Sequence, residues 1–396
     1  MTAVGIHDLA IATAHHVVGL ADLAARRDVD PGKYLVGLGQ ESMSFPAEDE
    51  DVVTMGAAAA RTLLHRTGAD GVRWLLFATE SGVDQSKSAA VYAHRLLGLP
   101  PSVRAVELKQ ACYGGTAALQ TALGIVHRDP AERVLVIAAD VARYALHSPG
   151  EPTQGAGAAA MLVSADPALL EVEPVSGVAT ADVDDFWRPN DASTAVVDGR
   201  LSVSAYLAAL KSAWDDHRAR GGATASEIDR FVYHQPFTRM AEKAHAALAR
   251  HVGLPDGERL GSGLEYNRRL GNTYTASLYA ALAALLDGDD ALAGRRIGLF
   301  SYGSGSVGEF FTGVVRPGYD AVRPRDEVTR ALAARVPLSV DEYERLHAAR
   351  PTGSADAVTR RVTDGPYRFA GVRSRARRYE NTADRPSAAA EQGGSV

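Results

Sequence analysis

One cysteine, Cys112, stands in a chain of 396 residues. That scarcity excludes an intrachain disulfide and any zinc or iron–sulfur site built from several thiolates. Long apolar runs are missing too. The longest nearly apolar stretch, residues 276–286, is too short to cross a bilayer and stops at Asp287. Net charge is −6, so no basic excess points to nucleic acid or a membrane surface. The start, Met1-Thr-Ala-Val-Gly-Ile-His-Asp8, has no basic stretch followed by an apolar core; a signal peptide is not expected and a cytoplasmic location is. The 12 histidines fall into no ligand spacing, and His15-His16 are adjacent, so a metal site is not expected.

What is present is ordinary for a globular protein: 46% hydrophobic and 23% charged residues. The length suits two domains or one duplicated α/β fold with a real core. Residues 74–79 form a continuous apolar run, the pattern of a strand buried on both faces, and deliver Glu80 at its end. A helical stretch follows, then Glu107-Leu-Lys-Gln-Ala-Cys-Tyr113 and a small-then-aliphatic helix. The strand of residues 133–140, a loop through Tyr144 and a strand at 158–163 complete this half. The second half repeats the order. A strand at 228–233 ends at His234, a helix runs over 240–251, and Gly271-Asn272 opens another aliphatic helix. The strands at 296–300 and 309–315 flank a glycine-rich loop. This repetition suggests two α/β halves, each placing polar residues at strand ends and helix starts. Acidic residues 48–51 read as a solvated run or helix-capping charge. After about residue 320 the chain looks polar and less patterned.

Several residues could carry chemistry. A thiol at a helix start faces unpaired N–H groups and the positive end of the dipole, which favour the nucleophilic thiolate. A single cysteine can equally be a small buried hydrophobe. Glu80 must be paired or solvated, or its pKa rises, which suits a carbon-acid base. His234, before a proline, fits a hydrogen-bonded structural residue as well as a functional one. Gly303-Ser-Gly-Ser-Val-Gly308 matches the dinucleotide pattern, but it leads into a strand rather than a helix, so a nicotinamide site is rejected.

Taken in order, Ala78-Thr-Glu-Ser81, the cysteine segment, Gly150-Glu-Pro-Thr-Gln-Gly155, Asp185-Phe-Trp-Arg-Pro189, His234-Gln-Pro-Phe237, Gly271-Asn272-x-Tyr274 and Ser301-Tyr-Gly-Ser-Gly305 resemble the 3-hydroxy-3-methylglutaryl-CoA (HMG-CoA) synthases. The likeness is to bacterial, actinomycete-type enzymes of the mevalonate pathway and runs from about residue 4 to about 375. It implies a five-layered, thiolase-like α/β fold of two pseudo-symmetric αβαβα halves, residues 1–168 and 169–375; the tail at 376–396 lies outside the likeness, and its composition, rich in Ala, Gly and Ser, reads as disordered. A homodimer is implied as well. By the same resemblance Cys112 takes the acetyl group of acetyl-CoA, Glu80 removes a methyl proton, and His234 polarises the ketone of acetoacetyl-CoA. Asn272 and Ser304 match positions beside the acyl groups. Tyr144, Thr153, Ser202 and Lys243 match positions lining the substrate or its CoA arm, as do Asp30 and Pro31. Arg239 departs from the usual lysine, keeping the charge but changing the donor geometry. No metal or redox cofactor is implied. Two other readings remain open: a polyketide-pathway relative acting on a carrier-protein-bound acceptor, and a scaffold without activity, which would be expected to have lost Cys112, Glu80 or His234.

Overall fold

In the computed structural model, which describes residues 2–382 apart from 255–258, 323–325 and 350–354, the apolar runs pair into a nine-stranded sheet. Its members are β1 (Val4–Thr13), β2 (Val72–Ala78), β3 (Arg104–Leu108), β4 (Arg133–Ala142), β5 (Gly155–Ala165), β6 (Leu170–Thr180), β7 (Arg230–Tyr233), β8 (Arg296–Gly303) and β9 (Val307–Val315). Their spatial order is β7-β8-β9-β6-β1-β5-β4-β2-β3. In the first half β2 lies parallel to β3 and β4, and β5 runs antiparallel to β4 and β1. In the second half β7 is parallel to β8, and β9 runs antiparallel to β8 and β6. Without β3, the same pattern occurs twice. The halves meet through two residue pairs, Gly5 with Glu171 and Ile6 with Leu170. A Cβ on Gly5 would stand 2.0 Å from the Leu170 carbonyl, so this seam requires glycine.

The helices packed on the sheet are α1 (Val52–Thr67), α2 (Ala89–Leu96), α3 (Gly114–Arg128), α4 (Gly199–Ala219), α5 (Arg239–Val252) and α6 (Ser277–Gly288). Strand alternation sorts them into layers. On β4, Val134, Val136 and Ala138 face the core shared with α3 and α6, while Leu135, Ile137 and Ala139 face α1 and α2. On β8, Leu299 joins the shared core and Phe300 the outer core under α4 and α5. Two half-sheets and three helical layers make five, the expected thiolase-like architecture. The helix sequences fit their places. Residues 277–286 of α6 are all buried, as a helix inside the middle layer demands. Asp51 caps α1 through a capping box with Thr54, a device worth about 1 kcal/mol.

The C-terminal portion corrects the sequence reading. Beyond β9 the chain leaves the second half and returns to the first. Val336–Pro337 pairs with His16 and Val17, and helix α7 (Val340–Ala348) inserts Tyr343 among Val18, Leu20, Leu23 and Met43. A hairpin of Tyr367–Arg373 and Ala376–Asn381 packs Tyr367, Phe369, Val372 and Tyr379 on the α1 and α2 core. Packing therefore changes near residue 319, not at 375. Residues 376–381, expected to be disordered, form a strand; the tail residues 383–396 lie outside the described residues.

The acidic run 48–51 is the anchorage for this return. The Asp49 carboxylate accepts from the Val362 and Thr363 N–H groups, and Asp51 pairs with Arg377 and the Tyr379 hydroxyl. Glu50 accepts from the His15 and Ala47 N–H groups, and burial pushes its carboxyl up to about 7.

Candidate active site

The parallel strands β2 and β4 end side by side, with Ala78 opposite Ala138. Asp140, two residues further along β4, thus reaches the turn that β2 makes next. It has no solvent exposure and accepts six hydrogen bonds. One oxygen takes the Thr79 hydroxyl (2.8 Å), the Glu80 and Ser81 N–H groups (2.9 and 3.0 Å) and the Ser81 hydroxyl (2.8 Å). The other takes the N–H and hydroxyl of Thr275, at 3.1 and 2.5 Å. One carboxylate thereby fixes the Glu80 turn and ties it to the start of α6. Sequence reasoning passed over Asp140, although a carboxylate ending an apolar strand was the signal that singled out Glu80.

Burial pushes the Glu80 carboxyl well above its usual range; the Asp140 charge adds to this, and Arg188 offsets part. Cys112 stands just before Tyr113, the residue that caps α3, and follows Ala111 at φ 42°. This left-handed conformation costs a non-glycine residue about 1 kcal/mol. Cys112 is 9% exposed, and burial pushes its thiol well above the ordinary value, with Glu80, Asp140 and Asp185 adding to the rise. The expectation of a helix-stabilised thiolate is therefore corrected: desolvation and three carboxylates outweigh the helix start. His234, buried at the end of β7, continues the parallel ladder through its N–H to the Phe300 carbonyl (2.9 Å). That bond is joined by a second: the His234 carbonyl accepts from the Tyr206 hydroxyl at 2.8 Å. Desolvation lowers the imidazole to about 3, so it is neutral. Burial thus shifts all three groups toward their uncharged forms.

Around the thiol, Cys112, Ala142 and Tyr274 form one cluster with Phe186, whose ring lies 6.1 Å from Tyr144 and 5.8 Å from Tyr274. Asn272 accepts the Tyr274 N–H at 2.9 Å and donates its own N–H to the Thr153 carbonyl at 3.1 Å. Asp185 accepts the Tyr302 hydroxyl (2.8 Å) and the Gly305 N–H (2.9 Å), which holds the glycine-rich loop carrying Ser304. Helix α7 braces the loop from Tyr144 to Thr153. His347 bonds the Tyr144 carbonyl (2.8 Å) and Gln154 (3.1 Å), and Gln154 accepts the Tyr144 N–H (2.9 Å). Glu151 joins Arg27, the Tyr343 hydroxyl and the His147 N–H.

The structure therefore gathers Glu80, Cys112, Tyr144, Thr153, Asn272 and, through the Tyr206 and Tyr302 rings, His234. Asp30, Pro31, Ser202, Arg239 and Lys243 lie outside this cluster. Asp30 and Pro31 precede the turn of Lys33–Leu38, against which Arg239 packs by donating to the Val36 carbonyl. The Arg239 guanidinium also pairs with Glu242 at 2.7 Å, and the Lys243 ammonium lies 4.9 Å over the Phe237 ring. Of the residues that sequence reasoning did not single out, Tyr206 carries no local signature, while Phe186 and Tyr274 lie inside quoted motifs and Asp140 ends an apolar strand as Glu80 does. Among the described residues, no group of three or more His, Cys, Asp or Glu side chains could hold a metal, and no helix is long and apolar enough to cross a membrane.

Comparison with known proteins decides the family. The model of the hydroxymethylglutaryl-coenzyme A synthase N-terminal region matches residues 1–168, and that of the C-terminal region matches 171–251 and 257–354. The chain belongs to the hydroxymethylglutaryl-CoA synthase family. It is accordingly a condensing acyltransferase of thiolase-like fold. A hydroxymethylglutaryl-CoA synthase of Enterococcus faecalis is 39% identical over 383 residues, covering 96% of this chain and 100% of the relative. A solved structure of MvaS in complex with 3-hydroxy-3-methylglutaryl coenzyme A shares 37% identity at a TM-score of 0.90, covering 96% of this chain and 99% of that one. The polyketide biosynthesis 3-hydroxy-3-methylglutaryl-ACP synthase PksG of Bacillus subtilis is 32% identical, covering 87% of this chain and 88% of the relative.

Proposed function

We propose that the chain condenses acetyl-CoA with acetoacetyl-CoA and water, forming HMG-CoA and free CoA for the mevalonate pathway. Support for this reading comes from a buried thiol at the start of α3 and a carboxyl raised by burial after β2, which act on one another electrostatically, with a neutral imidazole after β7 joined to them through Tyr206. Cys112 attacks the acetyl thioester; its proton leaves with CoA as the free thiol, and an acetyl-S-enzyme remains. Glu80, ionised for this step, takes a methyl proton, which the thioester acidifies. A raised pKa makes it a stronger base. The carbanion attacks the ketone carbon of acetoacetyl-CoA, His234 donates a hydrogen bond to the oxygen on which charge develops, and that oxygen becomes a hydroxyl by taking up one proton, which balances the one Glu80 removed. A neutral imidazole serves as donor without bringing a charge into a dry site. Water then cleaves the thioester to Cys112, releasing HMG-CoA and restoring the thiol. The steps are acyl transfer, proton transfer, carbanion addition to a ketone and thioester hydrolysis, none of which changes an oxidation state or calls for a redox cofactor.

Asn272 and Ser304 would line the acyl groups, Tyr144 and Thr153 the pantetheine end. Ser202, Arg239, Lys243, Asp30 and Pro31 would meet the outer CoA arm. With Arg239 paired to Glu242, Lys243 is the better phosphate partner. A cytoplasmic homodimer fits the edge strand β3, which is unpaired on one side with Val106 42% exposed. Product analysis by mass spectrometry tests the reading. HMG-CoA should form with the wild type and not with Cys112→Ala; an acetylated Cys112 that yields product only with an acetoacetyl-carrier protein would move the chain to the polyketide class.

A further inference from the structure

The turn before α3 is gripped from the second half as well as from the first. At Gly303 a Cβ would stand 2.6 Å from the Tyr113 nitrogen and 2.5 Å from the Gln110 carbonyl, so backbone lies on backbone. The Gln110 amide donates to the Ser304 carbonyl at 3.3 Å. The third contact is a buried carboxylate. Glu309, on β9 and 3% exposed, accepts the Tyr113 hydroxyl at 2.7 Å and the Gln120 amide at 2.8 Å. Those two residues stand on one face of α3 and two turns apart. Burial pushes the Glu309 carboxyl above its usual range, while bonds from Tyr113, Ser176 and Gln120 draw it back. A carboxylate between apolar neighbours such as Phe310 and Phe311 is costly unless its oxygens are held. No step of the condensation uses it.

We propose that Glu309 is a positioning residue for Cys112. By holding the Tyr113 hydroxyl and the Gln120 amide, it locks the first two turns of α3 onto the second half and so fixes the aim of the thiol at the acetyl donor. The proposal rests on Cys112 being the acetyl acceptor. The turn needs such a hold, because Ala111 is kept in a left-handed conformation that a free chain would relax. A nucleophile misplaced by about 1 Å loses on the order of a hundredfold in rate. The carboxylate serves only as a double acceptor. A glutamine in its place keeps one acceptor for Tyr113, and the Gln120 amide can turn over to accept the new N–H.

The test is the rate of Cys112 acetylation by acetyl-CoA, followed by intact-mass measurement on the full chain, with melting temperature recorded beside it. Glu309→Leu should acetylate at least about tenfold more slowly than wild type, and Tyr113→Phe by a smaller factor in the same direction. Glu309→Gln should recover most of the rate. Wild-type rates in both Glu309→Leu and Tyr113→Phe, whatever their melting temperatures, would overturn the proposal. So would a Glu309→Gln variant as slow as Glu309→Leu, since charge rather than position would then matter. If Glu309→Leu fails to fold, Tyr113→Phe, which removes one hydroxyl, carries the decision. A wild type that is never acetylated refutes the reading of Cys112 itself, and is told apart because no variant is then needed to see it.

Discussion

The start of α3 and the start of α6 occupy matching places in the two halves, yet they do different work. Both follow a residue at positive φ, Ala111 at 42° and Gly271 at 78°, and both run into helices of the middle layer. At the first stands a thiol; at the second the Asn272 side chain turns back to hold the Tyr274 N–H. The strand ends are a second such pair. Burial raises the acid Glu80 after β2 and lowers the base His234 after β7, opposite shifts that both favour the uncharged form. A duplicated scaffold thus supplies two equivalent platforms, which the proposed mechanism uses differently, one to react and one to brace and polarise.

The largest expected effect strikes the reacting platform. Cys112→Ala should abolish condensation, by about 10⁴-fold or more, with no acetyl-enzyme in an intact-mass assay. A residual rate near wild type would erase the distinction between the platforms. Next, Glu80→Ala should still acetylate Cys112 but lose about 10²–10⁴-fold in condensation, measured by HMG-CoA release from pre-acetylated enzyme. His234→Ala should weaken acetoacetyl-CoA use most. An effect confined to acetyl-CoA handling would contradict its assignment.

A smaller effect concerns the brace on Tyr144. His347→Leu removes the donor to the Tyr144 carbonyl and should cost about 1–3 kcal/mol of stability along with part of kcat, while His347→Gln, which can donate from a similar place, should recover both in the same assays. The smallest effect lies in pH-dependent stability. The Glu80 pKa is raised, so its contribution to stability is full below the unfolded value near 4.3 and is lost as pH rises through the folded one. His234 is lowered from 6.5 to about 3, so stability falls as pH drops below about 6.5. Melting curves of Glu80→Gln should therefore gain on wild type at pH 8, and those of His234→Gln at pH 5. Gains at the same end of the scale would break the opposition between the two sites.

The halves and the candidate residues stood out in the sequence because they depend on local pattern: apolar runs ending in Glu80 or His234, and small residues after Cys112. The braces did not. Asp140 works through six bonds to residues near 80 and 275, and the run 48–51 shows its role only when residues 362–379 return to it. Residues after 320 looked unpatterned because their buried faces, such as Tyr343 and Tyr379, meet helices and strands from the far end of the chain. The thiol was misjudged for a related reason. The helix start is visible in sequence, whereas the burial and the three carboxylates that outweigh it are not.

The central claim is that Cys112 holds the acetyl group while Glu80 takes a proton from it. Incubating wild type and Glu80→Ala with acetyl-CoA in deuterium oxide, then weighing the Cys112 peptide, separates the two roles. Both proteins should carry acetyl on Cys112, and only the wild type should gain deuterium in the methyl group. Deuterium gained equally by Glu80→Ala would contradict the account, because some other group would then be the base.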